Sequence, residues 1–132
     1  MSATNVLKFI KEKEVEFIDL RFTDPRGKLQ HLTMDHTVVD EEMLNEGVFF
    51  DGSSIAGWKA INESDMILKP DTSRLVMDPF TSHNTLILFC DILDAVKKTP
   101  YERDPRGVAK KAEEYLKSSG VGDKAFFGPE PE

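Results

Sequence analysis

Val15 to Phe22 alternates, placing Ile18, Leu20 and Phe22 on one side, and Asp24-Pro25-Arg26-Gly27 follows at once. Successive side chains of an extended chain point to opposite faces, so this alternation marks a strand with one buried face. Asp at position i, Pro at i+1 and Gly at i+3 is the residue order of a type I turn. Together they fix a hairpin whose second strand runs from Leu29 to Met34. An isolated hairpin is marginal in water, so the rest of the chain must cover its apolar face.

That cover is legible on both sides of the hairpin. Residues 3 to 13 carry Val6, Leu7 and Ile10 at helical spacing, with Thr4 able to cap the helix and Lys8, Lys11, Glu12 and Lys13 on the opposite side. Thr37 to Gly47 reads as a second helix, capped by Thr37 or Asp40, with Val39, Met43 and Leu44 clustered and Gly47 ending it. Short strands are expected at Val48-Phe49-Phe50, Met66 to Lys69 and Arg74 to Met77, the last two interrupted by Pro70 and Pro79. Thr85 to Leu93 is apolar enough to lie in the middle of the sheet. The expected fold class is therefore α+β, a small mixed sheet packed on a helix. Lys97 to Tyr101 turns polar and contains a proline, which places a domain boundary there and divides the chain into residues 1–100 and 101–132. In the second part Asp104 caps a helix with Pro105 at its first position. Val108, Ala109, Ala112, Tyr115 and Leu116 form its stripe, and Gly120 stops it.

Composition excludes several function classes. Seventeen basic against 24 acidic residues give a net charge of −7, with no basic block, so the electrostatic footprint of a DNA- or RNA-binding protein is missing. No apolar run approaches the roughly 20 residues of a membrane-spanning helix, so no membrane partner is expected. The start, Met1-Ser2-Ala3-Thr4-Asn5, lacks the charged and apolar regions of a secretory signal. The single Cys90 lies in the apolar run Leu86 to Cys90, where a buried, inert thiol is expected. A reducing cytoplasm fits both observations.

Two segments could carry chemistry. Asp51-Gly52-Ser53-Ser54-Ile55-Ala56-Gly57-Trp58 allows close backbone approach to a ligand. Gly52 and Gly57 have the spacing of a phosphate-binding P-loop, but Trp58 stands where lysine is needed. Gly52 to Ala56 misses the nucleophile elbow because it ends in alanine and no helix pattern follows. The segment can be a plain surface loop; an exposed Trp58 beside Ile55 would argue for an interface or a ligand. The second segment is the tail. An apolar strand at Ala125-Phe126-Phe127 leads into Gly128-Pro129-Glu130-Pro131-Glu132, whose prolines enforce extended backbone and so turn Glu130 and Glu132 to one side. Two readings are open: a solvated acidic end, or two oxygen ligands of a hard divalent cation whose other ligands lie elsewhere. His31, His36 and His83 are scattered over a strand, its exit and a polar turn, and read as structural or solvated.

Several segments together resemble bacterial type I glutamine synthetase, across the whole chain. They are Phe17-Ile18-Asp19-Leu20-Arg21-Phe22-Thr23-Asp24, Phe50-Asp51-Gly52-Ser53-Ser54, Gly57-Trp58, Ile61-Asn62-Glu63-Ser64-Asp65-Met66, Asp91-Ile92-Leu93 and Gly128-Pro129-Glu130-Pro131-Glu132. The resemblance implies a β-grasp domain over residues 1–100, then the first helix and strand of a truncated catalytic domain over 101–132. It implies ATP-dependent joining of ammonium to glutamate through a γ-glutamyl phosphate, at sites between neighbouring subunits of a homo-oligomer built as a double hexameric ring. Asp51 would enter the neighbour's site to bind ammonium and take its proton, with Ser54 hydrogen-bonding nearby. Glu130 and Glu132 would each bind a divalent ion, Mg²⁺ or Mn²⁺. A piece of this length would be inactive alone. The competing expectation is a stand-alone β-grasp binding module that shares the fold without the site.

Overall fold

A computed structural model describes residues 1–58 and 65–130. Helix α1 (Ala3–Glu12) begins at Ser2, whose side chain accepts from the Asn5 amide; Ser2 is the cap, where Thr4 was expected. The hairpin follows as β1 (Phe17–Thr23) and β2 (Leu29–Asp35), antiparallel with Ile18 opposite Met34 and Arg21 opposite His31. Its turn is closed by Asp24, whose Oδ1 accepts from the Arg26 and Lys28 amides at 2.9 Å.

The second expected helix is split. Asp35 caps a single 3-10 turn at His36–Val38, Val39 is extended, and Asp40 caps α2 (Glu41–Glu46) by accepting from the Met43 amide at 2.7 Å. Thr37-Val38-Val39 is a β-branched run, which weakens helix, while each aspartate offers its own cap. Strands β3 (Val48–Asp51), β4 (Asp65–Pro70), β5 (Val76–Met77) and β6 (Thr85–Asp94) complete one sheet. The strand order is β2-β1-β6-β4-β3, with β5 also paired to β6. The β1–β6 pairing is parallel and the others antiparallel, so β6 is central, as its apolar sequence requires.

One face of this sheet carries the core. Ile18, Leu20 and Phe22 of β1, Met66 and Leu68 of β4, and Leu86, Leu88, Cys90 and Ile92 of β6 pack with Val6 and Ile10 of α1 and Leu44 of α2. Burial pushes the Cys90 thiol far up, which keeps it protonated and inert. This is the α+β arrangement expected from the sequence.

Helix α3 (Pro105–Ser119) matches its local code, with Asp104 as cap, Pro105 in the first turn and Gly120 left-handed after the last. None of its residues is buried, and Ala109, Ala112, Leu116, Val121 and Phe127 line an open apolar groove of about 590 Å³. Polar contacts hold its first turns to the sheet. Arg106 bridges Asp91 of β6 and Asp71, and Lys110 also reaches Asp91. Asp104 is buried; its Oδ2 accepts from the Ile92 amide at 3.2 Å and its Oδ1 from the Arg106 amide at 3.1 Å. Burial raises the Asp104 pKa above the usual carboxylate range, against the pull of these amides. The strand expected at Ala125 to Phe127 does not form: residues 124–130 have no regular structure, and Phe126 and Phe127 are 91% and 92% exposed. A lone extended segment with no ladder partner has nothing to hold it as a strand.

Two expected outcomes test these anchors. Asp104→Ala loses the cap and leaves the Ile92 amide unpaired, so chemical denaturation should register a loss of about 2–4 kcal/mol. Gly47 has φ +89°, and a Cβ there would lie 2.5 Å from the Leu68 carbonyl oxygen, whereas Gly27 at φ +84° meets nothing within 4 Å. Gly47→Ala should therefore cost well over the roughly 1 kcal/mol expected of Gly27→Ala, and equal thermal shifts would contradict that packing.

Candidate functional site

Asp51 ends β3, where antiparallel pairing sets it opposite Asp65. Alternation turns Phe50 toward the core and leaves Phe49, 65% exposed, and Asp51 on the outer side. The chain then tightens into a 3-10 turn at Gly52–Ser54 capped by Asp51 itself, whose Oδ1 accepts from the Ser53 amide at 2.9 Å and the Ser53 hydroxyl at 2.7 Å. The carboxylate is thus both exposed and oriented. Ser53 is the serine that orients it, an Asx turn that the Asp-Gly-Ser order could have announced; Ser54 lies on the same turn with its side chain exposed.

The far end of the loop is held by aromatic packing. Trp58 is only 6% exposed, which corrects the expectation of a solvent-facing indole. It stacks on Phe22 with ring centroids 5.7 Å apart and meets Phe50 at 6.1 Å and Tyr101 at 5.9 Å, edge-on in both cases. Contacts of this kind contribute about 0.5–1.5 kcal/mol each beyond area burial. Its own neighbours account for the apolar character that had suggested an interface or a ligand.

The tail places Glu130 on exposed, irregular backbone beyond α3, and Glu132 lies outside the described residues, as do Ile61 to Ser64 of the resemblance. Among the described residues no group of three or more His, Cys, Asp or Glu is gathered as a metal ion would require. Glu130 with its described surroundings is therefore not a complete cation site.

A polar cluster that sequence reading missed lies on the sheet face opposite the core. Arg21 donates from Nε to Asp19 at 2.7 Å and from Nη2 to Asp78 at 2.6 Å. The other Asp19 oxygen accepts from Thr33 at 2.8 Å and contacts His31 Nδ1 at 2.7 Å. With His83 these residues line an open cleft of about 560 Å³. The signal was present, since Asp19 and Arg21 are the outward positions of the strand whose inward ones are Ile18, Leu20 and Phe22. Burial works to raise the Asp19 pKa, but bonds from His31, Arg21 and Thr33 outweigh it and hold the carboxyl below its usual range.

Comparison with known proteins gives one consistent result. Residues 14–95 match the family model described as the glutamine synthetase β-grasp domain. Over 131 residues the chain is 64% identical to glutamine synthetase of Rhizobium meliloti (strain 1021), covering 99% of this chain and 28% of that protein. Over 132 residues it is 56% identical to glutamine synthetase of Escherichia coli (strain K12), again 28% of the relative's length. The chain thus spans between a quarter and a third of the curated relatives it matches. Among solved structures, the cryo-EM Plasmodium falciparum glutamine synthetase superimposes with a TM-score of 0.81 at 25% identity, covering 91% of this chain and 23% of that one. A ligand-free GmaS shares the fold at 21% identity with a TM-score of 0.78, covering 88% of this chain and 27% of that one.

The Asp19 network carries a pH test. A carboxyl with a lowered folded pKa contributes stability that is complete above its unfolded value, near 3.9, and is lost as pH falls through the folded value. Asp19→Asn should therefore flatten the loss of stability below about pH 4. Denaturation midpoints across that range measure it, and an unchanged slope would contradict the role given to Asp19.

Proposed function

Because the chain belongs to the glutamine synthetase family through its β-grasp domain, we propose that it acts as the N-terminal part of an ATP-dependent ligase that joins ammonium to glutamate through a γ-glutamyl phosphate. In this reading residues 1–100 form the first domain and 101–132 open the catalytic one. The enzyme is a cytoplasmic homo-oligomer, a double hexameric ring, and each Asp51 serves the neighbouring subunit's site. The observation that carries the reading is the exposed, oriented Asp51 at the end of β3, inside the matched segment.

The chemistry asked of Asp51 suits such a carboxylate. Its charge attracts ammonium, and once water is excluded it takes the proton, leaving ammonia to attack the acyl phosphate and release phosphate. Ser53 holds the Oδ1 lone pairs in place, and Ser54 is available beside it for a hydrogen bond to the incoming group. Glu130 and Glu132 would each supply an oxygen donor to one of two divalent ions, Mg²⁺ or Mn²⁺, in the assembled enzyme. Such ions take roughly six ligands, so these two carboxylates do not complete a site by themselves. The 132-residue chain alone is accordingly inactive.

A chimera tests this: the chain replaces the matching 131 residues of the R. meliloti relative. Asp51→Asn in that chimera should lower glutamine formation by about a hundredfold or more, the range of a lost general base, while ATP still binds. Full activity of Asp51→Asn would overturn the assignment, and glutamine formation by the 132-residue chain alone would overturn its dependence on the rest.

A further inference from the structure

Asp51 lies at one end of its loop, and the other end is held by a segment from a distant part of the chain. Gly57, left-handed at φ +92°, packs near the Pro25 side chain, and its carbonyl accepts from Arg103 Nη1 at 3.1 Å. The next residue, Trp58, meets the ring of Tyr101. Both partners come from the segment between β6 and α3, and that segment is itself locked. The Tyr101 amide donates to the Ile92 carbonyl at 2.9 Å, the Asp104 amide to the Tyr101 carbonyl at 3.1 Å, and the Ile92 amide to Asp104 Oδ2 at 3.2 Å. Arg103 therefore projects from a turn braced on the central strand.

We infer that Arg103 and Tyr101 are positioning residues for Asp51, clasping the far end of its loop to β6 and so fixing where the carboxylate stands. The inference rests on the proposed role of Asp51 and adds residues that touch neither substrate nor reacting atoms. Because the Arg103 guanidinium is exposed, its bond to a backbone carbonyl competes with water and adds little to global stability. Its consequence is geometric: displacing a reacting group by about 1 Å costs on the order of a hundredfold in rate, so a partial loosening is felt in turnover before it is felt in folding.

The test has two arms. Trp58 is the single tryptophan of the chain, so its fluorescence reports on the clasp directly. In the 132-residue protein, Arg103→Ala should raise acrylamide quenching of Trp58 about twofold with an unchanged thermal midpoint, and Arg103→Lys, which keeps a cationic donor, should restore most of the protection. In the chimera, Arg103→Ala should lower kcat/KM for ammonium about tenfold with KM for ATP unchanged, and Arg103→Lys should recover it. Unchanged quenching, or a quenching change with unaltered ammonium kinetics, would overturn the inference. A harmless Asp51→Asn alongside an intact quenching response would overturn the catalytic reading beneath it instead, and the two failures are thereby told apart.

Discussion

The parallel pairing of β1 with β6 is the contact on which the remainder depends. It sets Ile18 beside Leu86 and Leu20 beside Leu88, all four fully buried, and so brings together the first and last strands of the sheet. Parallel neighbours cannot be joined by a tight turn, so α2 and strands β2 to β5 all lie in the excursion between them. The same register places Arg21 opposite Phe89 on the outer face, with Asp78 within reach of its guanidinium. On the other edge of β6, pairing with β4 carries β3 and therefore Asp51. A slip of one residue in this register would turn one of the two apolar stripes to the outer face and break up the core.

Elements governed by local chemistry were legible in the sequence. Asp104, Pro105 and Gly120 give the limits of α3 because capping acts within one turn. The apolar run of β6 announced a central strand because such a run needs two covered faces. What was not legible depended on distant partners. Trp58 looked exposed because Phe22, Phe50 and Tyr101, which bury it, arrive from three other segments. Asp104 looked like an ordinary cap, yet it is also the acceptor for an amide of β6. The helix expected from Thr37 to Gly47 broke because two aspartates five residues apart each cap a turn of their own. In the candidate site, the resemblance pointed to Asp51 and Ser54, whereas the serine that hydrogen-bonds Asp51 is Ser53.

The structure divides the labour between packing and charge. The sheet with α1 and α2 is held by a contiguous apolar core, whereas α3 joins it through Asp104, the Arg106 bridge and Lys110. Ion pairs of this exposure contribute little individually and weaken with salt, but forked geometry sets direction well. The junction therefore serves to orient α3 relative to the sheet that carries Asp51. One buried acid and one arginine fork thus join α3 to the central strand β6.

In the proposed function Asp51 works in a site completed by another subunit, and co-assembly of two defective subunits is a direct test. One chimeric subunit carries Asp51→Asn and another Glu132→Gln, each inactive alone, and the two are co-assembled at varied ratios. If the site takes Asp51 from one subunit and Glu132 from its neighbour, activity should return and peak at equal proportions, with roughly a quarter of interfaces restored under random mixing in a closed ring. A flat baseline at every ratio, with mixed particles verified, would contradict the account.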